Sequence, residues 1–287
     1  LIAKTWMNKE PQAESDSEFY QAFQVALIGM KEQLIKQSIV LVNNNQYRIP
    51  FTEINRKACI INYGQPERIS YTKWSNNYQK FEVRKVGRNK LKLNAFNRFE
   101  NLVFTINEEL DNRHLKDLST LLKMDLTNAL VVVNINHPKN LILLDSLSTV
   151  IQVFNQSTST SNNLMEAIYG GVAITGCLPK TYGKFLAGHS IKSEKIRVEY
   201  SLPEEVGISS DSLLKIRRIV REMIFSGVAP GCQIMAIKSG KIIYNQSFGH
   251  LTYEKLEPVS NRDIYDLASL TKIIATTPAF MHFHDKG

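Results

Sequence analysis

From Phe19 to Thr181, apolar residues come in short runs separated by helical stretches. FYQAFQVALIGMKEQLIKQSIVLVNN, starting at Phe19, predicts an amphipathic helix running into a strand, with Ser17 and Glu18 as its start. Strand-length runs follow at 57–62, 80–86, 101–107, 129–135 and 149–154. Helical patterns fall between them at 112–124 and 138–147, and the polar turn STSTSNN precedes a further helix, NLMEAIYGG. Short apolar strands alternating with helices predict an α/β fold: a mostly parallel sheet in a three-layer sandwich, with helices on both faces. Residues 183–206 show little periodicity and hold Gly188 and Pro203, the pattern of a connecting segment.

A different pattern begins near Ile208. SSDSLLKIRRIVREMIFSG carries a helical period closed by Gly227, and two strand-like runs then flank Ser239-Gly240, a strong hairpin signal. A second helix opens at Ser269. Helix, antiparallel hairpin and helix do not continue the parallel pattern, so we expect a second, partial α+β domain. The predicted boundaries are 1–182 for the sandwich, 183–206 for the linker and 207–287 for the second domain.

The stretch YDLASLTKIIATTPAF, 265–280, places Ser269 three residues before Lys272, on one face of a helix. A serine hydroxyl needs a base before it attacks, and a lysine serves when burial and nearby positive charge favour its neutral form. The free N–H groups of a helix start can supply that charge and can also bind an oxyanion. The bare spacing is weak, because Ser70 with Lys73 and Ser212 with Lys215 share it. The first of these lies in a polar stretch and the second on a basic, exposed-looking helix. Only Ser269 follows a hairpin and precedes an apolar helix able to bury the lysine.

From about Gly207 onward, SGVAPGCQIMAIKSGKIIYNQSFGH with its leading helix, and above all YDLASLTKIIATTPAF, resemble the start of the serine hydrolases related to class C β-lactamases, penicillin-binding proteins and esterases. The resemblance implies that Ser269 is acylated and that Lys272 activates it. That family also needs a downstream Tyr-x-Asn-type element and a Lys/His-x-Gly strand, and the sequence stops fifteen residues after Lys272. The expectation is that the chain by itself does not turn over esters or lactams.

Residues from about Phe19 to Thr181 resemble the C-terminal α/β sandwich domain of glycoside hydrolase family 3. The resemblance rests on FQVALIGMKEQLIKQSIVLVNNNQYRIPF, on HPKNLILLDSLSTVIQVFNQSTSTSNNLMEAIYGG, and on VAITGCLPKT with Gly176, Leu178 and Pro179 in matching places. Some bacterial β-N-acetylglucosaminidases of that family carry an appended serine hydrolase domain, the order found here. The resemblance implies that sugar chemistry on glycans containing N-acetylglucosamine belongs to a barrel preceding Leu1, and that the whole protein works in the periplasm or cell envelope. No glycosidase residue carries over. The adjacent carboxylates Glu108-Glu109 and Glu204-Glu205 are read as solvated surface.

Composition narrows the alternatives. Of 287 residues, 43% are hydrophobic and 22% charged, a globular profile with room for one large or two smaller domains. The net charge of +8 is modest; its densest stretch, Arg84 to Lys92, lacks interleaved aromatics, so no nucleic-acid partner is expected. No apolar run approaches the roughly eighteen residues of a spanning helix. Cys59, Cys177 and Cys232 are too scattered for a zinc site or disulfide framework, and Cys59 and Cys232 are expected as buried thiols. His282 and His284 stand two apart on a helix and face different ways, so no metal is expected. His137 reads as a turn residue at a strand end where α/β sheets place ligands. Gly170, Gly171 and Gly176 form no nucleotide fingerprint, and no cofactor is expected.

These readings make the chain part of an envelope hydrolase of two activities, taking carbohydrate through the missing barrel and an acyl substrate at Ser269. The alternatives are a non-catalytic binding or scaffolding protein that keeps both folds, and an esterase-like protein with an unrelated α/β domain.

Overall fold

The computed structural model describes residues 15–64, 77–127 and 129–287. They divide into two compact units, one comprising residues up to Ser212 with Ile237–Ile243, the other Leu213–Ala236 with Tyr244–Gly287.

The first unit is built on six strands: β1 (Val40–Asn44), β2 (Ala58–Tyr63), β3 (Phe81–Val86), β4 (Asn101–Ile106), β5 (Ala129–Ile135) and β6 (Thr149–Val153). Their order is β1-β6-β5-β4-β2-β3. Every pairing is parallel except β1 with β6, so an antiparallel edge strand closes an otherwise parallel sheet. This is the α/β sandwich that the alternating pattern predicts. Every residue of β2 and β4 is buried, as expected for strands covered on both faces. The edge strand β3 instead has one buried residue, Phe81, followed by half-buried and exposed positions in turn.

Alternate residues feed two cores. Cys59, Ile61, Leu102, Phe104 and Val132 pack with Leu121 and Met124 of helix α2 (Leu115–Thr127). Ala58, Ile60, Val103, Val131 and Ile151 pack on the opposite side with Leu164, Met165 and Ile168 of helix α3 (Thr158–Ile168) and with Tyr169. Ser157 caps α3 by accepting from Thr160 N at 3.0 Å, so the polar run 157–163 is a helix start as well as a turn. The segment 138–147 forms only a short 3-10 turn, Pro138–Ile142, where the periodicity predicts a helix. Asn140 there sends its side chain into the core, donating to Glu108 O and Asn134 Oδ1 and accepting from Leu110 N.

Helix α1 (Ser15–Ser38) begins two residues before the expected Ser17. Its buried face carries Gly29, Glu32 and Ile35, while Phe19, Phe23, Leu27 and Leu34 are exposed. Asn163 of α3 donates to Glu32 Oε2 at 2.6 Å. The helix therefore inverts the amphipathic expectation, because a polar bond and a glycine rather than its aromatics face the sandwich.

A row of polar side chains crosses the buried sheet near the C-terminal ends of its parallel strands. Thr105 Oγ1 donates to Asn62 Oδ1 at 3.1 Å, and Asn134 Nδ2 donates to Gln152 Oε1 at 2.6 Å. All four residues are buried. At the sheet's other end Arg48 donates to Asp125 Oδ1 at 2.5 Å, to the Asp125 carbonyl at 2.6 Å and to Leu130 O at 3.0 Å.

The closing segment lies against the sandwich. Gly176 is required by close approach, since a Cβ there would stand 2.3 Å from Ile39 O and 2.4 Å from Gln37 O. Residues 183–206, read as a connection, belong to the first unit and bond repeatedly to the sandwich. Ile191 N donates to Leu41 O, and the Arg197 guanidinium donates to Phe51, Thr52 and Tyr169 carbonyls. Strand β7 (Glu199–Tyr200) pairs in parallel with the first two residues of strand β9 (Lys241–Gly249), a pairing within the first unit.

Helix α4 (Ser210–Phe225) leads into the hairpin of β8 (Gly231–Lys238) and β9, whose turn and flanking residues, Ile237–Ile243, count with the first unit and whose remainder belongs to the second. Ser239 and Gly240 both take positive φ, 52° and 72°, as the favoured two-residue hairpin turn demands. A long loop then reaches a π-helical turn, Lys272–Thr276, and helix α5 (Thr277–Lys286). Pro278 has no N–H to continue an α-helical ladder, which accounts for the widened turn before it.

Candidate active site

The loop that delivers Ser269 is shaped by short-range bonds. The Gln233 side chain on β8 donates to the carbonyls of Ser260 and Asp263. Asp263 accepts from Ser260 N and Ser260 Oγ, both at 2.7 Å, closing a tight turn. Three residues on, Asp266 Oδ1 accepts from Ala268 N at 2.8 Å, and Ala268 takes φ 44°. Tight turns follow, with Leu270 N donating to Leu267 O, Thr271 N to Ala268 O and Lys272 N to Ser269 O.

This winding puts Lys272 Nζ 3.1 Å from Ser269 Oγ, with the lysine donating. That separation is within reach of proton transfer. The two side chains thus meet as the spacing implies, and Thr277 Oγ1 ties the turn by donating to Lys272 O at 3.0 Å. Both Ser269 and Lys272 are exposed, as is every residue of the helix after them. The apolar helix expected to bury the lysine does not do so, because its Ile273, Ile274, Phe280 and Phe283 face solvent along with it. Of the rival pairs, Ser212 and Lys215 are exposed on α4, and Ser70 with Lys73 lies outside the described residues.

Other candidates resolve into structural roles. His282 and His284 are exposed on α5, and no group of three metal-ligating side chains occurs among the described residues. His137 turns the chain after β5, its carbonyl accepting from Asn134 Nδ2. In the basic stretch, Arg84 stacks over Phe96 and Phe99, and Arg88 pairs with Glu108. Cys59 is buried and its thiol is pushed up to about 12, chiefly by burial; Cys232 is only half-buried and Cys177 is exposed. No helix among the described residues is long and apolar enough to cross a membrane.

In each of the two carboxylate pairs read as solvated surface, one side chain is buried instead, while Glu109 is exposed as expected. Glu108 is buried, accepts from Arg88 Nε at 2.9 Å and Nη2 at 2.5 Å, and sets its other oxygen 3.7 Å from Nε2 of the buried His114. The Glu205 side chain is buried with that of Glu199 between Lys36 of α1 and Lys241 of β9. Lys36 donates to both, and Lys241 Nζ lies 2.9 Å from Glu205 and 3.2 Å from Glu199. Burial alone would raise the Glu199 carboxyl, but the two ammonium groups hold it below its ordinary value. Adjacent acidic residues in sequence carry no signal of such burial; cations distant in the chain supply it.

A further carboxyl escaped the sequence altogether. Glu166 of α3 is fully buried, with Oε2 accepting from Tyr78 OH at 2.7 Å and from Tyr200 N at 3.0 Å. Burial pushes it up to about 8 against those two bonds.

No protein-family model matches the chain, and no curated protein matches it. Among solved structures, a glycoside hydrolase family 3 β-N-acetylglucosaminidase from Paenibacillus sp. str. FPU-7 aligns at 10% identity over 50% of this chain and 30% of its own, with TM-score 0.43. A fungal multi-domain β-N-acetylglucosaminidase of that family aligns at 12% over 80% of this chain and 29% of its own, TM-score 0.46. A β-glucosidase from Listeria innocua aligns at 13% over 51% and 25%, TM-score 0.43. The chain spans less than a third of each of these proteins. Likeness at this level carries no functional argument.

Proposed function

We propose that this chain is part of a hydrolase with two activities, in which a sandwich of glycoside hydrolase family 3 type (1–182) and a linker (183–206) precede the opening of a Ser-x-x-Lys acyl hydrolase (207–287). The observation that carries the reading is the 3.1 Å approach of Lys272 Nζ to Ser269 Oγ at the start of a helix that follows a hairpin. In the reaction, Ser269 Oγ bonds to the acyl carbon while its proton passes to Nζ of Lys272. The bond to the leaving alcohol or amine then breaks, and Lys272 returns the proton to that group. Water releases the acyl group from the serine in a second step.

Among the described residues of the sandwich, the carboxylates of Glu108, Glu205, Asp117 and Asp125 are each held by partners within the fold. Its sequence resemblance supports a carbohydrate substrate containing N-acetylglucosamine, handled by a barrel elsewhere in the natural protein, and a place in the cell envelope.

The test is to treat the natural protein carrying this chain with a fluorophosphonate probe and to assay it on a chromogenic β-N-acetylglucosaminide. We expect covalent label on Ser269, lost in Ser269→Ala, with sugar hydrolysis intact in that variant. Absence of label at Ser269 would remove the acyl-hydrolase reading and leave the binding or scaffolding one in its place.

A further inference from the structure

We infer that Asp266 is a positioning residue for Ser269, acting through the backbone of Ala268. The inference rests on the reading of Ser269 as a nucleophile.

Ala268 sits at φ 44°, in the left-handed region that a residue with a Cβ avoids and that glycine occupies freely. Left to itself, an alanine would relax to negative φ. That rotation would swing the peptide leading into Ser269 and break the train of tight turns that follows. The bond that opposes it is the one from Ala268 N to Asp266 Oδ1, at 2.8 Å. Downstream, Thr271 N to Ala268 O and Lys272 N to Ser269 O carry the same geometry forward, and its product is the 3.1 Å contact between lysine and serine. Upstream, Gln233 and the Asp263 turn fix the segment from which Asp266 projects. Asp266 touches neither reacting side chain in the structure. Its effect is to place Oγ where Lys272 can take its proton.

The geometry assigns Asp266 a role that glycine at 268 should replace. Using the natural protein and a fluorophosphonate probe, the second-order labelling rate of Ser269 should fall roughly tenfold or more in Asp266→Ala, the scale of one misplaced catalytic contact. Asp266→Asn keeps an accepting oxygen and should label within about twofold of the natural protein. Adding Ala268→Gly to Asp266→Ala should restore most of the lost rate, because glycine adopts positive φ unaided. A role confined to stability would shift the thermal midpoint without this pattern of rescue.

Wild-type labelling in Asp266→Ala, or failure of the glycine to rescue, would overturn the inference while leaving Ser269 a nucleophile. If Ser269 is not labelled in the natural protein, the acyl-transfer reading and the positioning role fall together. The HN–Hα coupling of Ala268, compared between the natural protein and Asp266→Ala, then shows whether the carboxylate holds the turn at all.

Discussion

Glu166 gives the molecule a pH response. Its unfolded carboxyl titrates at the ordinary value of 4.5 and its folded one, raised chiefly by burial, at about 8, so the folded state keeps a proton that the unfolded chain gives up. A raised folded value means the contribution is fully present below about 4.5 and is lost as pH climbs through about 8. We expect stability to decline across that window by an amount on the order of 5 kcal/mol at most. Glu166→Gln should flatten the decline, which chemical denaturation at a series of pH values would show. Glu199 works the other way. Its lowered carboxyl contributes above the ordinary carboxylate range, and the contribution disappears as pH falls through the folded value. Arg48 belongs to the same scale. Its removal leaves the buried Asp125 carboxylate uncompensated, and Arg48→Ala should cost roughly 3–5 kcal/mol in urea unfolding.

At the scale of elements, strand identity follows directly from the chain. Runs such as ACIINY and NLVFTI are strands that appear where the apolar residues cluster, because strands buried on both faces need them throughout. The hairpin at Ser239-Gly240 was equally legible, since few dipeptides accept two positive φ values. Helix α1 was legible in type but not in orientation: nothing in its period says that Glu32 will find Asn163. The Ser269–Lys272 contact could be read from a spacing of three, whereas the left-handed Ala268 beside it could not, because alanine gives no hint of positive φ. Lys36, Glu199, Glu205 and Lys241 were invisible as a group because their contacts span up to 169 positions of sequence. Gly176 is the element-scale position most open to test. A methyl group there meets two carbonyl oxygens of the chain entering β1, so Gly176→Ala should destabilise the fold by about 1–3 kcal/mol, read as a lower urea midpoint at unchanged slope.

Across the whole molecule, burial is distributed unevenly between the two units. The first holds two extensive apolar clusters, one on each side of its sheet. Among the described residues of the second, Val220 and Val259 are the buried hydrophobic side chains. Local opening is governed by such contacts, so amide exchange should be slowest in β2, β4 and β5 and much faster over 264–287. Equal protection across both units, measured by hydrogen exchange with mass spectrometry, would contradict this distribution.

The polar row of Asn62, Thr105, Asn134 and Gln152 has a consequence for how the sheet assembles. In a strand buried on both faces, sliding by two residues exchanges one apolar side chain for another, so hydrophobicity alone leaves the alignment nearly degenerate. Each such slip would strand amides and a hydroxyl in a dry interior, where an unmatched polar group costs about 1–3 kcal/mol. The row thus works as a set of keyed teeth: it adds little to the depth of the native state but raises the misaligned alternatives above it.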